Sequence, residues 1–319
     1  MNSRSLDESG RSEEQIPAGW PSELWQSCLL WAHNARTYWL LTKPKVVGVI
    51  VFTAVVGMLM ATRGAPRLDL MIVSAVGIWL AAAGAAALNH IFDRRLDGEM
   101  LRTCQRPLPQ GRLTEHAALA FAATLCIASM LVLLLLVNLL TAVLTFASLI
   151  GYSVLYTLWL KHATPQNIVI GGAAGAAPPI LGWAAVTDSI DANALLLSLT
   201  IFTWTPPHFW ALAIARRAEY ANAGIPMLPV THGVRFTCTY IVIYTILLVF
   251  VTTLPYLTGM SGPLYIIGAI ALNGIFAKKV LVLNETLTDE AAMDTFIYSI
   301  RYLILLFTFL LADHYIRLT

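Results

Sequence analysis

Nine stretches of mostly apolar residues recur along the chain, at roughly 45–62, 69–91, 116–136, 139–160, 167–187, 193–214, 237–257, 263–284 and 295–313. Each approaches the roughly 20 residues that a helix needs to cross about 30 Å of hydrocarbon. Inside a bilayer every backbone N–H and C=O needs a partner from the protein, and a helix supplies it within one segment. The pattern therefore predicts an all-α, polytopic membrane protein with about nine transmembrane helices. The opening residues read differently. Asp7, Glu8, Glu13 and Glu14 lie among serines, and Trp20, Trp25, Trp31 and Trp39 then precede any long apolar run. We expect a polar tail over 1–43 that ends in a surface helix with tryptophans at headgroup level, ahead of a membrane domain over 44–319.

Composition and charge place this bundle in a membrane and orient it. Only 12% of the 319 residues are charged and 58% are hydrophobic, against about 25% charged in soluble domains. A net charge of +2 gives no footing for nucleic acid. Cys28, Cys104, Cys126 and Cys238 are too scattered for a metal motif or a disulfide framework and read as packing residues. Of the 20 lysines and arginines, only Arg63, Arg67 and Arg317 fall on the side opposite the tail, and Arg301 lies inside the last run. By the positive-inside rule the tail is cytoplasmic and, after nine crossings, the C-terminus is outside.

Two connections on the expected cytoplasmic side carry the chemistry. The second apolar run passes directly into Asn89-His90-Ile91-Phe92-Asp93-Arg94-Arg95-Leu96-Asp97, with Arg102 and Arg106 beyond. Helix positions four apart advance about 400° and about 6 Å, so Asn89, Asp93 and Asp97 form one stripe of oxygen ligands. Like charges at this spacing disfavour a helix by about 0.2–0.5 kcal/mol, which a bound divalent cation reverses. Mg²⁺ takes one or two carboxylates together with substrate phosphates and waters. Arg102 and Arg106, again four apart, suit forked hydrogen bonds to the remaining phosphate oxygens. The plainer alternative is a set of solvated charges anchoring a loop, but topology asks for lysine and arginine there rather than aspartate.

After the sixth run comes Arg216-Arg217-Ala218-Glu219-Tyr220, then Gly224-Ile225-Pro226-Met227-Leu228-Pro229. Its Arg-Arg-x-acid core echoes Arg94 to Asp97 four spans earlier, the mark of a weak internal repeat whose halves present charged helix ends to one shared cavity. Asp93, Asp97 and Glu219 are then the candidate metal ligands. Within the spans, Gly171-Gly172-Ala173-Ala174-Gly175-Ala176-Ala177-Pro178-Pro179 reads first as a close-packing surface and second as a broken helix with room for a bulky substrate. Trp204-Thr205-Pro206-Pro207-His208-Phe209-Trp210 sets an imidazole among aromatics. Such a histidine is ordinarily a packing residue and gains interest if the substrate holds a metal.

The run Asn89-x3-Asp93-x3-Asp97-x2-Met100-x-Arg102-Thr103-x2-Arg106-Pro107 resembles the first aspartate-rich motif of the UbiA-type intramembrane prenyltransferases. Tyr156-x3-Leu160-Lys161 with Asn167 to Gly172, Trp204 to Trp210, and Glu219-Tyr220-x3-Gly224 to Pro229 resemble the haem-farnesylating branch, over roughly 40–310. The resemblance implies a helical bundle around a central cavity. It also implies Mg²⁺-dependent transfer of farnesyl from farnesyl diphosphate to a vinyl group of haem B, giving haem O, at the inner membrane. Asn89, Asp93 and Asp97 would hold magnesium diphosphate. Arg102, Arg106 and Lys161 would contact phosphates, with Arg216 and Arg217 beside them, and Glu219 and Tyr220 would complete the far side. The implied partners are farnesyl diphosphate, haem B, the lipid bilayer and the next haem-processing membrane enzyme. Ala223 stands where many of the superfamily carry a second acidic residue, and His162 where a second basic one is common. For a haem acceptor, His90 and His208 are the histidines near the cytoplasmic cavity. His208, beside two prolines expected to disrupt its helix, is the expected contact. An enzyme of the same fold acting on a quinone precursor, and a secondary transporter with Arg301 as its intramembrane charge, are the rival readings.

Overall fold

The computed structural model describes residues 35–62, 64–100 and 103–318. Among them the long helices, in order, are α1 (Pro44–Ala61), α2 (Leu68–Phe92), α3 (Glu115–Leu136), α4 (Leu139–Leu160), α5 (Asn167–Thr187), α6 (Ala192–Ala215), α7 (Gly233–Leu257), α8 (Pro263–Thr286) and α9 (Asp289–Leu318). All but α6 are long and apolar enough to cross a membrane. α6 has the length, with 24 residues, but Thr203, Thr205, Pro206, Pro207 and His208 dilute its apolarity. The apolar pattern thus places every long helix, and the chain is an all-helical, multi-pass membrane protein. Of the expected tail and surface helix, only residues from 35 onward are described. Residues 35–41 are helical and pack on α2 and α3, with Tyr38 4.9 Å from Phe121 and Trp39 6.1 Å from Trp79 between ring centroids.

Short polar residues start these helices. Thr114 caps α3 by accepting from Ala117 N at 3.3 Å, and Asn138 caps α4 by accepting from Thr141 N at 2.8 Å. Asp191 caps α6 by accepting from Asn193 and Ala194. Each satisfies an N–H that the first turn leaves open. At the start of α8 the carboxylate of Asp313, from α9, accepts from Gly262 N at 2.5 Å, Leu264 N at 3.1 Å and Tyr265 N at 3.2 Å.

Lipid tails are as apolar as leucine, so helices in a bilayer associate through close packing and internal hydrogen bonds. α1 lies against the second half of α5, α2 along α3, α6 against α7 and α9, and α8 along α9. A Cβ on Gly182 would sit 1.9 Å from the carbonyl oxygen of Ala54, and one on Gly57 2.2 Å from that of Pro179, so glycine alone permits the α1–α5 approach. Interior hydroxyls are mostly returned to their own helix, as in Thr200 to Leu196 O and Thr245 to Ile241 O. Large apolar side chains such as Leu135, Phe250 and Ile267 stand exposed on the outside, where lipid would cover them. Arg301 is also on that outer face, so it is no core charge of a transport path.

Two proline-bearing segments behave differently. Pro178 and Pro179 do divide α5, into Asn167–Gly175 and Pro178–Thr187. Pro206 and Pro207 do not interrupt α6, which runs through them. The expected disruption beside His208 is therefore absent; the helix is held from outside by α7 and α9, whose contacts outweigh two lost backbone bonds.

α1 begins, and α2, α4 and α6 end, at one end of the bundle, with Lys43, Lys161, Arg216 and Arg217; we call it the basic face. Single-cysteine variants in a background without native cysteines test the orientation. Arg112→Cys should be shielded from a membrane-impermeant thiol reagent applied to intact cells, and Ser189→Cys should react. Labelling of both from one side would contradict the arrangement.

Candidate active site

The site forms where α2 runs out. The helix stops at Phe92, Asp93 turns the backbone at φ −87° and ψ 0°, and a short helix, Arg94–Glu99, follows. Asp93 N donates to Asn89 O at 3.0 Å and Asp97 N to Asp93 O at 2.8 Å, so the four-residue repeat survives the turn. Asn89, Asp93 and Asp97 consequently share one face, as the spacing predicts, and that face is turned inward: they are 5%, 5% and 4% exposed.

Each member of the stripe meets a cation. Lys161, at the end of α4, lies with Nζ 2.7 Å from Asp93 Oδ2, and Asn89 Nδ2 donates to the same oxygen at 2.8 Å. Asp93 Oδ1 takes neither contact. Arg106 Nη1 donates to both oxygens of Asp97, at 2.8 and 2.7 Å. Lys43, just ahead of α1, donates to Asn89 Oδ1. Lys161 and Arg106 thus balance the two carboxylates, and Lys43 adds an excess positive charge when it is protonated. Burial, and then the charge of Arg106, pushes the Lys43 ammonium down to about 7, against the opposing pull of Asp93 and Asp97.

Lys43 was not singled out by sequence. Its backbone is left-handed, at φ 49° and ψ 58°, next to Pro44. A side chain in that region is strained, and a following proline disfavours the right-handed alternative. The signal was a lysine directly before a proline at the edge of the first span, with Lys45 two residues on. α4 contributes a second unforeseen feature, a π-helical segment over Gly151–Leu160. Its wider turns let Thr157 donate to Tyr152 O five residues back and stack Tyr152 on Tyr156 at 5.6 Å. A Cβ on Gly171 would sit 2.2 Å from the Tyr156 ring, so part of the glycine-rich run is there for close packing.

The second motif forms another short helix, Arg217–Asn222, beyond α6. Arg216 Nη1 donates to Glu219 Oε1 at 2.9 Å, while Glu219 Oε2 and Arg216 Nε are buried without partners. Tyr220 is 5% exposed, shares a core cluster with Met100, and lies within electrostatic reach of Tyr156, as does Asp93. Arg217 is directed elsewhere, donating to Ile214 O and to Asp289 at the start of α9. Arg102 lies outside the described residues. Among the described residues no three acidic, histidine or cysteine side chains close into a ready metal cage. Asp93, Asp97 and Glu219 are thus not gathered into one ligand set.

Below Lys43 opens a cavity of about 600 Å³, walled by α1, α2, α4, α5, α6 and α9. Its lining is almost wholly apolar, with Ala81, Ala82, Ala85 and Ala86 along α2 and Gly175 on α5. His208 is on this wall, 4.1 Å from Trp204 and 4.7 Å from Phe296 in near-parallel stacks. Its Nδ1 is 2.6 Å from Ser299 Oγ, and that hydroxyl donates to Phe296 O at 2.6 Å. The one hydroxyl hydrogen can serve either contact; when it stays on Phe296 O, Nδ1 carries the imidazole hydrogen and Nε2 is the bare nitrogen. His90 is 3% exposed, has no partner on either nitrogen, and does not line the cavity.

A cation-rich cap over an apolar, membrane-embedded chamber defines a class of protein that takes a ligand with an anionic head and a greasy body. The chain belongs to the UbiA prenyltransferase family, which matches residues 50–304. It is 56% identical to the protoheme IX farnesyltransferase of Methylococcus capsulatus over 89% of this chain and 95% of that protein. It is 55% identical to the protein of the same name from Nitrosococcus oceani, over the same shares. Among solved structures it resembles one from a study of digeranylgeranylglyceryl phosphate synthase, with TM-score 0.74 and 18% identity over 88% of this chain and 99% of that one. A UbiA homologue from Archaeoglobus fulgidus bound to GPP and Mg²⁺ superposes with TM-score 0.59 and 14% identity, over 86% and 99%. These last two likenesses concern the fold.

Removing Arg106 leaves Asp97 without its counter-charge. Arg106→Met should destabilise the protein by about 2–3 kcal/mol, less than for a fully enclosed pair because the Arg106 side chain is 22% exposed. Thermal unfolding in detergent reads this, and an unchanged midpoint would show that Asp97 does not depend on Arg106.

Proposed function

We propose that the chain transfers the farnesyl group of farnesyl diphosphate to a vinyl group of haem B, with water adding to give haem O. The observation that carries this reading is the Lys43–Lys161–Arg106 cap over the apolar cavity, in a chain identical at 56% of aligned positions to a protein named protoheme IX farnesyltransferase. The geometry gives no independent support to a quinone-precursor acceptor.

The carbon–oxygen bond of an allylic diphosphate breaks when charge developing on the leaving group is stabilised, an effect worth several kcal/mol of barrier from well-placed donors. Magnesium bound with the diphosphate supplies further neutralisation of that charge. The donor set fits such an ion in the way Mg²⁺ favours, through one or two carboxylates plus phosphates and waters: Asp93 and Asp97 are buried one turn apart, and Asp93 keeps one oxygen outside its ion pair. Lys161 and Arg106, which now neutralise those aspartates, can turn to phosphate oxygens as the carboxylates are taken up. In this reading Lys43 and Arg102 would add donors from the first half, and Arg216, Glu219 and Tyr220 would complete the site from the second. Arg217 holds α9 instead.

The cavity shields the allylic cation from bulk water until the vinyl carbon attacks. His208 offers Nε2 to the haem iron from a wall of Trp204 and Phe296, a common form of iron ligation. In this reading the chemistry lies at the cytoplasmic side of the inner membrane, which the positive-inside rule supports through the basic face, and the product passes from there to the next haem-processing membrane enzyme.

Mass spectrometry of haem from cells expressing the chain should show added farnesyl and water. Asp93→Asn and Asp97→Asn should each abolish that product in protein that still inserts and folds; near-wild-type yield from both would remove the magnesium diphosphate role. His208→Ala should shift or abolish the Soret band of bound haem while prenyl diphosphate binding persists. An unaltered haem spectrum and affinity would take His208 out of the site.

A further inference from the structure

The cavity ends at one level on every helix that walls it. Its deepest lining residues are Thr53 on α1, Ile78 on α2, Thr145 on α4, Leu181 on α5, Ile201 on α6 and Leu303 on α9. Ile78 and Ile201 each lie about 21 Å, at 1.5 Å per residue, from the basic-face ends of their helices, Phe92 and Ala215. Closely packed side chains lie beneath. Ile78 and Leu181 join a cluster with Ala54, Met58 and Ala185, while Ile201 and Leu303 join the main core with Met60 and Leu306. The floor is therefore a wall of branched side chains backed by the core, and is not a narrowing that flexible groups could vacate.

We infer that this floor measures the prenyl donor, admitting a C15 chain at full length and rejecting a C20 chain. The inference rests on the proposed prenyl diphosphate site. From Asn89, where the diphosphate would be held, to Ile78 is about 16 Å along α2, and from Lys43 to Thr53 is about 15 Å along α1. Single bonds of about 1.5 Å in a zigzag advance about 1.3 Å each, so the 11 main-chain bonds of farnesyl span about 14 Å and the 15 of geranylgeranyl about 19 Å. The first ends just above Ile78 and Ile201. The second overshoots by about 3–4 Å, most of an isoprene unit, which must fold back into space needed by the acceptor or force apart a packed core. Ile78 and Ile201 are thus specificity-determining residues, and Ala81, one turn above Ile78 on the same wall, sets how much width the last isoprene unit finds.

The test uses the full chain in lipid nanodiscs with Mg²⁺ and the non-hydrolysable thio-diphosphate analogues of C10, C15 and C20 donors, with affinities measured by calorimetry. Wild type should bind the C15 analogue at least tenfold more tightly than the C20. Ile78→Ala, or Ile201→Ala should the first fail to fold, should narrow that ratio to about threefold or less. Ala81→Leu should weaken C15 while sparing C10. Equal C15 and C20 affinities in wild type, or a ratio unmoved by both floor variants, overturns the inference. Because no acceptor is present, this result is separate from the haem assay: correct length discrimination without haem farnesylation would fault only the acceptor, and binding of none of the analogues would overturn both readings.

Discussion

Asp93 and Asp97 are carboxylates drawn into the end of an apolar bundle, and the local architecture follows from keeping them compensated. An ion taken out of water costs several kcal/mol even after relaxation, unless a counter-charge in good geometry offsets it. Lys161 from the end of α4 and Arg106 from the loop beyond Arg94–Glu99 provide that offset. Lys43 reaches Asn89 on the same stripe. Three separate stretches of chain are therefore tied to the last turns of α2. With Lys43 protonated these cations exceed the anions they neutralise, so a ligand rich in negative charge, which favours the protonated ammonium, would be met by the same groups that stabilise the empty cap.

Below the cap the requirement is reversed. Among the described residues no aspartate, glutamate or arginine lines the cavity, and its hydroxyls at Thr53, Ser148 and Thr205 are returned to the carbonyls of Ile50, Leu144 and Ile201, while that of Thr145 has no partner. Each hydroxyl so returned avoids a cost of about 1–3 kcal/mol and is less available to a cation as a competing nucleophile. Space is obtained from small residues, the alanines of α2 and Gly175 at the break in α5. The glycine-rich run serves both readings made from sequence, since Gly171 packs against Tyr156 while Gly175 opens onto the chamber.

The helices and the Asn89–Asp93–Asp97 stripe were legible because each depends on a local period: about 20 apolar residues, or a polar residue every fourth position. What was not legible depends on distant contact. Lys43 becomes a site residue only because α1 begins beside the end of α2. Arg217 leaves the site because Asp289, remote in sequence, takes it. Pro206 and Pro207 read locally as a break, yet α6 stays helical because neighbours on two sides fix its path. His208 is held at Nδ1 by the hydroxyl of Ser299 on α9, remote in sequence.

The two charged connections deserve comparison beyond their four-residue echo. Each is a six-residue helix following a long one, Arg94–Glu99 after α2 and Arg217–Asn222 after α6. In each, the first arginine of the short helix pairs with the opening residue of another long helix: Arg94 with Glu115 of α3, Arg217 with Asp289 of α9. In each, the acidic residue is met by an arginine of its own connection, Asp97 by Arg106 and Glu219 by Arg216. By the four-residue echo, however, Arg94 corresponds to Arg216 and Arg95 to Arg217, so these partners fall on non-equivalent arginines and the two connections share a layout without matching residue for residue. They differ in how far the charge is satisfied. Both oxygens of Asp97 are engaged, whereas Glu219 Oε2 and Arg216 Nε are buried with nothing to bond. Buried polar atoms without partners occur in both halves, Glu219 Oε2 and Arg216 Nε in the second and both nitrogens of His90 in the first, so each half keeps bonding capacity beside its acidic residues.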